Sequence, residues 1–296
     1  MSRGRFLIGR DVIPFTAPSF GLLTTATELA LPGDKWKLGI VWEPTCPGAD
    51  GTFDPCVVTP WLTEDAPPEK TDTWEHQVRG ATPFTAYSMI QCSPVGSWDD
   101  LSTLNRQALI RSEEQFVEQV FWTGVVTAGA DATVFPHLAD DTEAIDGEDF
   151  LQPAATVVTA TPQEIVIGLG MLEEAMKDCY PGVATIHMPY RLATIAMDHH
   201  LLVSRGGQMF TTSLGSKVVI GDYPGTAPDG TSTPGETWLY ATGEVFFQRE
   251  TQPHSFRPAE SLDRDVNTVS MIAERTYVVG WDCCLLAVPI VNGEST

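Results

Sequence analysis

The chain has 296 residues, 39 of them acidic and 17 basic, for a formal charge of −22, and 43 % are hydrophobic. That is enough apolar material for packed cores and room for about two domains, which excludes disorder along most of the length. The acid excess disfavours sequence-specific nucleic-acid binding, which rests on lysine and arginine against phosphates; no apolar run reaches the ~18 residues of a membrane helix, the best, 277–291, being broken by Asp282 and Pro289.

The opening stretch MSRGRFLIGRDVIPF has only a short apolar run before Gly9, Arg10 and Asp11, a poor secretory signal, so the chain is expected to stay in the cytoplasm. Arg3, Arg5 and Arg10 crowd the tip, and Pro14, Pro18 and Pro32 limit regular structure. The first 45 residues read as an extended arm with a short helix around 22–31, and such an arm is ordered by something outside itself. The pattern at 36–42 suits a strand and FTAYSMIQC at 84–92 suits its return. Between them lie about forty residues rich in Pro, Gly, Asp and Thr that include Phe53, Trp61, Lys70 and Trp74. A loop of that length inside a compact domain is usually functional, and its aromatic residues need cover: a subdomain of its own chain or a hairpin laid on a neighbouring subunit.

The clearest helix follows. Ser97 is its expected cap, Asp99 and Asp100 sit in the first turn, and Gly124 ends it. Leu101, Leu104, Ala108, Phe116, Val117, Val120 and Phe121 are expected to form its apolar stripe. Seven acids between Asp131 and Asp149, without lysine or arginine, read as a solvated loop. A second helix is expected from Thr161, with Pro162 in its first turn and Glu164 completing a capping box, to about Asp178. Then come a strand in PGVATIHMP, a third helix over 190–202, a turn at Gly206-Gly207, strands at 216–220 and 237–247 flanking a long turn, and a last strand run over 275–290. Helices and strands mix without a βαβ repeat, which predicts an α+β fold.

Catalytic constellations are weak. Gly168-Leu169-Gly170 lacks a third glycine and lies within a helix pattern, and neither a phosphate-binding loop nor a Gly-x-Ser-x-Gly elbow is present. Asp198, His199 and His200 are consecutive helical residues, which diverge by about 100° each and do not face one site. His187 and His76 have no identifiable partner. Neither a catalytic residue, a cofactor site nor a metal site is assigned. The six cysteines contain no Cys-x-x-Cys pair. Buried thiols are the expectation, with Cys46 and Cys56 the pair that a loop could bring together, and Cys283 and Cys284 read as strand packing residues.

The strings RSEEQFVEQVFWTG (111–124), PGVATIHMPYRLATIAMDHHLL (181–202), LGSKVVIGDYPGTAPDG (214–230), TWLYATGEVFF (237–247) and AERTYVVGWDCCLLAV (273–288) resemble major capsid proteins of tailed bacteriophages (Caudoviricetes), especially phages of actinobacteria. The likeness covers about the last two thirds in sequence and the first third in organisation. It implies the Hong Kong 97 fold: an N-terminal arm at 1–37, an extended loop at 38–97, a peripheral domain at 98–154 and 246–296 with a spine helix at 98–124, and an axial domain at 155–245.

The resemblance implies a non-enzymatic structural protein of the virion, self-assembling in the host cytoplasm into hexamers and pentamers of an icosahedral head around double-stranded DNA. Phe53, Trp61, Lys70, Trp74, Tyr223 and Pro224 are its expected subunit-interface residues, and Arg3, Arg5 and Arg10 its DNA-proximal arm. Portal, separate scaffold and decoration proteins are further partners the family implies; a membrane is not. An encapsulin-like compartment shell is the alternative within the fold, and a hydrolase or metal enzyme around His187, Asp198 and His199 the alternative outside it. Some members of the family lock their shells by a lysine–asparagine bond. Here Lys70 and Asn267 are the residues available by position, but Glu260 and Glu274 lack the apolar neighbours that mark a desolvated base, so a shell without that bond is expected.

Overall fold

The computed structural model describes residues 15, 18–44, 46, 78–92, 101–126, 133–139, 154–206, 209–256, 262–263 and 268–292. The arm is built into the body from residue 18 on. A single helical turn, α1 (Leu22–Thr25), buries Leu22 completely, and β1 (Thr27–Glu28) pairs in parallel with β11 (Val245–Arg249). The helix is shorter than the 22–31 expected from sequence, because pairing with β11 takes over at Thr27.

The segments expected to pair across the extended loop, 36–42 and 84–92, are not partners of one another. Residues 35–38 form a 3-10 turn, and β2 (Ile40–Trp42) pairs with β3 (Arg79–Ala81), not with 84–92. Pro83 separates β3 from β4 (Phe84–Cys92), which pairs along nine residues with β14 (Thr268–Trp281). In β4 Phe84 and Ala86 are buried while Thr85, Tyr87 and Met89 are exposed, the alternation of a strand covered on one face only. The cover is α2 (Leu101–Thr123), a helix of 23 residues and so ~35 Å long. Its buried stripe matches the expected one only at Val117, Val120 and Phe121. Asn105, Leu109, Glu113, Val117, Val120 and Phe121 face inward, at i, i+4 spacing, while Leu101, Leu104 and Ala108 are half-buried.

The second half alternates strands with two helices: β5 (Thr156–Val157), α3 (Ile165–Cys179), β6 (Thr185–Pro189), α4 (Tyr190–Asp198), β7 (Leu202–Arg205), β8 (Met209–Thr212), β9 (Lys217–Gly221) and β10 (Glu236–Thr242). After β11 come β12 (His254–Phe256), β13 (Leu262–Asp263), β14 and β15 (Leu285–Val291). The expected capping box does not form: Glu164 is the residue before α3 and makes no side-chain cap bond. The Gln163 N–H donates to the Pro289 carbonyl and the Val291 N–H to the Gln163 carbonyl, so this stretch runs extended along β15 and delays the helix. Gly168 then lets α3 lie against β15, since a Cβ there would strike Ile290 Cδ1. Helix α4 stops before the expected 202 because His200, at φ 58°, takes the left-handed position of a Schellman end: the Leu201 N–H reaches the Ala196 carbonyl at 2.9 Å and the His200 N–H the Met197 carbonyl at 3.0 Å.

Two sheets result. One has the order β1-β11-β14-β12, with β4 and β13 also on the long β14; the other has the order β5-β15-β10-β6-β9-β8-β7. The runs at 237–247 and 275–290, each expected as continuous strand material, both break and change sheets. Strand β10 leaves the seven-stranded sheet at Gly243 and continues as β11; β14 leaves the six-stranded sheet at Asp282 and continues as β15. The two crossings touch, the Asp282 N–H donating to the Glu244 carbonyl at 2.9 Å, and a Cβ on Gly243 would overlap the Asp282 carbonyl.

Side chains on the seven-stranded sheet alternate between two cores. Ile186, Met188, Val218, Ile220, Leu239 and Val288 pack with α3 and α4, whereas Val219, Tyr240 and Ala287 join the core under α2. A third small core, Trp36, Ala81 and Val278, seats the β2–β3 pair.

Candidate assembly surfaces

The root of the extended loop is fixed at the sheet crossing. Cys46, just before the 47–77 segment, is disulfide-bonded to Cys283 with Cα atoms 5.0 Å apart, and the buried Arg79, just after it, donates to the Cys283 carbonyl. Cys179 at the end of α3 is bonded to Cys284, Cα atoms 6.2 Å apart. This corrects the reading of Cys283 and Cys284 as strand packing residues: they occupy the link between β14 and β15, where Cys283 takes φ 56°. Trp42 meets Phe246 edge-on, with ring centroids 5.0 Å apart, and completes the seat. On the outer side of this root Leu38 is 89 % and Val41 57 % exposed.

Helix α2 holds the parts of the subunit together through three glutamates. Glu113 points into the six-stranded sheet, where Arg275 Nη1 donates to its two oxygens at 3.2 and 3.0 Å and the Tyr277 hydroxyl donates at 2.5 Å. Arg249 adds a bond at 3.3 Å and reaches back to Glu28 of the arm. Glu114 accepts the Leu23 N–H at 2.7 Å. Glu118 accepts the Leu22 N–H at 3.2 Å with one oxygen and the Asp222 N–H, beyond β9, at 2.8 Å with the other. The same helix thus grips the six-stranded sheet, the arm and the seven-stranded sheet. Burial raises both Glu114 and Glu118 to a pKa of about 7 against the opposing pull of these N–H donors. Gly21 and Gly221 are required for the approach, because a Cβ on either would press into the Glu114 or Glu118 carboxylate.

One face of the six-stranded sheet carries α2; the other bears a row of side chains in lateral register, Phe256 opposite Ile272 opposite Met89. Directly paired residues share a face. Met89 is 60 % and Phe256 43 % exposed, and Tyr87, one pair further along the same face, is 43 % exposed. A separate groove of about 460 Å³ lies between α2 and β4, lined by Phe84, Thr85, Tyr87, Phe116, Gln119 and Val125.

Of the residues singled out from sequence, Phe53, Trp61, Lys70, Trp74, Arg3, Arg5 and Arg10, together with Glu260 and Asn267, lie outside the described residues. Tyr223 is a core residue: it is 6 % exposed and its ring stacks on Trp122 at 4.9 Å. The adjacent Pro224 is exposed. His187 is fully buried between Phe121 and Tyr223, 2.9 Å from the Thr242 hydroxyl, and burial lowers its pKa to about 3, so it is neutral. Asp198, His199 and His200 are exposed at the end of α4, so the structure does not gather them with His187 into one site. The exposed row and the cysteine pairing were missed from sequence. The alternation in FTAYSMIQC signals a half-covered strand, but nothing local shows which residues lie across from it.

No protein-family model and no curated protein matches the chain. Solved structures do. The capsid of an empty GTA particle computed with C5 symmetry aligns with a TM-score of 0.58 at 11 % identity, covering 97 % of this chain and 95 % of that one. The capsid of Ralstonia phage GP4 aligns at 0.53 and 6 % identity over 100 % and 97 %, and a structure from Mycobacterium phage Ogopogo at 0.52 and 12 % over 97 % of each chain. The long α2 with its two sheets, the pinned loop root and the built-in arm are therefore an α+β architecture of the Hong Kong 97 capsid type, the fold that the sequence strings imply.

Proposed function

We propose that this chain is a major capsid protein, the main shell subunit of an icosahedral phage head, and that it acts structurally rather than as an enzyme. The observation that carries the reading is coverage: the capsid chain of an empty GTA particle aligns over 97 % of this chain and 95 % of its own length. The exposed apolar row of Met89 and Phe256, and the outward Leu38 and Val41 at the loop root, support it as surfaces that a neighbouring copy covers. Burying such side chains is worth ~1.5–3 kcal/mol each, and a shell subunit repeats that gain at every copy.

In this reading the arm and 47–77 segment, with Phe53, Trp61, Lys70 and Trp74, reach neighbouring subunits within hexamers and pentamers, and Pro224 contributes from the long turn after β9. Residues 98–126 with the six-stranded sheet form the peripheral part. The axial part is the seven-stranded sheet with α3 and α4, and it takes in β15 as well as 155–245. Assembly takes place in the host cytoplasm. The interior holds double-stranded DNA without sequence preference, with Arg3, Arg5 and Arg10 touching phosphates while the net charge of −22 keeps the wall from adhering to the genome. Portal, scaffold and decoration proteins would meet the finished or growing shell, which holds without a lysine–asparagine bond.

Sedimentation of the purified chain tests this. Closed particles of many copies are expected, and boiling them in detergent should give one band near 32.2 kDa. A species that stays at the mass of a single chain at every concentration contradicts the proposal, and small uniform particles filled with protein rather than DNA point to a cargo compartment instead.

A further inference from the structure

The sulfurs of Cys46, Cys179, Cys283 and Cys284 form one group where the chain passes from the six-stranded to the seven-stranded sheet. Two bonds cross there, Cys46–Cys283 and Cys179–Cys284, and the Sγ atoms of Cys283 and Cys284 are 3.4 Å apart. Together they tie the loop root, the end of α3 and the crossing itself into one node. The loop root is also positioned without the bond. Strand β2 pairs with β3, Arg79 donates to the Cys283 carbonyl, and Trp36 and Trp42 are packed against neighbouring residues. Reduced sulfurs have a partner as well: the Cys179 carbonyl stands 3.1 Å from Cys283 Sγ and 2.8 Å from Cys284 Sγ, within reach of an S–H donor. The site therefore accommodates both redox states with its surroundings in place. Cys283 is 1 % exposed whereas Cys46 is half-buried, so a small reagent reaches the pair from the Cys46 side.

We infer that Cys46–Cys283 is a conditional clasp: open in the subunit that assembles in a reducing cytoplasm, and closed in the finished particle by a low-molecular-weight disulfide, fixing the root of the 47–77 segment to the sheet crossing. The inference rests on the shell reading above. Cytoplasmic thiol pools keep protein cysteines reduced, and a particle released from its host leaves that protection. In the closing reaction the Cys46 thiolate attacks one sulfur of a small disulfide RSSR, forming Cys46–S–S–R and releasing RS⁻. The Cys283 thiolate then attacks Cys46 Sγ, the bond to SR breaks, and a second RS⁻ leaves. The two protein thiols lose two electrons and two protons; RSSR gains both and becomes two RSH. The bond joins residues separated by 237 positions, so closure restricts an unfolding chain over most of its length.

The test uses full-length particles made in a host with an intact reducing cytoplasm. One sample is trapped with N-ethylmaleimide at lysis, a second is treated with glutathione disulfide before trapping, and both are mapped by mass spectrometry. Cys46 and Cys283 should carry the label in the first and be linked to each other in the second. At a temperature where reduced particles fall apart within minutes, oxidised ones should last at least ~10-fold longer. Oxidised Cys46→Ser particles should decay at the reduced wild-type rate. If this variant does not assemble, the comparison of reduced with oxidised wild type decides alone. The inference is overturned by a bond already closed in the trapped sample, by Cys46 linked to another cysteine such as Cys56, by one zinc ion retained per chain on the four thiols, or by equal half-lives. Absence of particles from every sample counts against the shell reading, and mapping of the soluble chain still reads out the clasp.

Discussion

The two halves of the subunit are held by different physics. The seven-stranded sheet with α3 and α4 closes over an apolar core of Leu169, Leu172, Ile186, Met188, Leu239 and Val288. A buried acid borders it, Glu173, whose Oε1 accepts from both the Thr212 and Ser216 hydroxyls at 2.5 and 2.7 Å. The region under α2 instead buries Asn105, Glu113, Glu118 and Arg275 beside its apolar residues. Apolar burial is nondirectional and tolerates small shifts, whereas a buried charge bonded to several partners fixes one geometry and is costly to leave half-paired. The directional contacts sit where the arm, the two sheets and α2 meet, and so fix the angles between these parts.

Breaking the spine network should have the largest effect. Glu113→Ala leaves Arg275 and Tyr277 facing one another without their shared carboxylate and should lower stability by about 3–5 kcal/mol in urea melts of the unassembled subunit. In the apolar half, Leu172→Ala should cost about 3 kcal/mol, without altering how the arm or the loop root exchanges amide hydrogens. An arm protected less strongly after Leu172→Ala than after Glu113→Ala would invert the comparison.

Gly221→Ala presses a methyl group onto Glu118 and should cost about 1–3 kcal/mol, and Glu118→Gln in the same chain should recover little of it because the crowding remains. Met89→Glu places a charge on the exposed row and should change the melting of the isolated chain by less than about 0.5 kcal/mol while cutting particle yield several-fold. Normal particle yield from Met89→Glu would remove this row from the contact surface.

A separate test of the α2 glutamates concerns pH. Glu114 and Glu118 have folded pKa values near 7 against an ordinary 4.5, so the folded state binds more protons than the unfolded chain between those limits. Their contribution is fully present below about pH 4.5 and is lost as pH rises through about 7. The difference in stability between wild type and Glu114→Gln/Glu118→Gln should therefore change across that window and be flat above it, read from thermal melts at pH 5, 6, 7 and 8.

Much of this architecture is legible in the sequence, and what is not has identifiable causes. The long helix, the strand at 185–189, the end of α3 and the α+β mixture follow from periodicity and turn residues. The breaks at Gly243 and Asp282 are hidden because apolar residues continue on both sides, and only the second sheet tells β10 from β11. The polar stripe of α2 is invisible for a related reason: Glu113 looks like any exposed glutamate until Arg275 and Tyr277, more than 160 positions away, are placed beside it. The β7–β8 hairpin was missed because its Leu202 and Val203 look like the tail of α4. Disulfide partners depend on tertiary proximity, and the nearest cysteine in sequence was the wrong guide for Cys46.

Single-particle electron microscopy of the purified full-length chain tests the central claim most directly. Closed shells are expected whose repeating unit contains α2 across a six-stranded sheet, with the Met89, Ile272 and Phe256 row covered by a neighbouring copy and the loop root seated at Cys283. Isolated subunits with that row open to solvent at every concentration, or shells in which it faces bulk water, would contradict it.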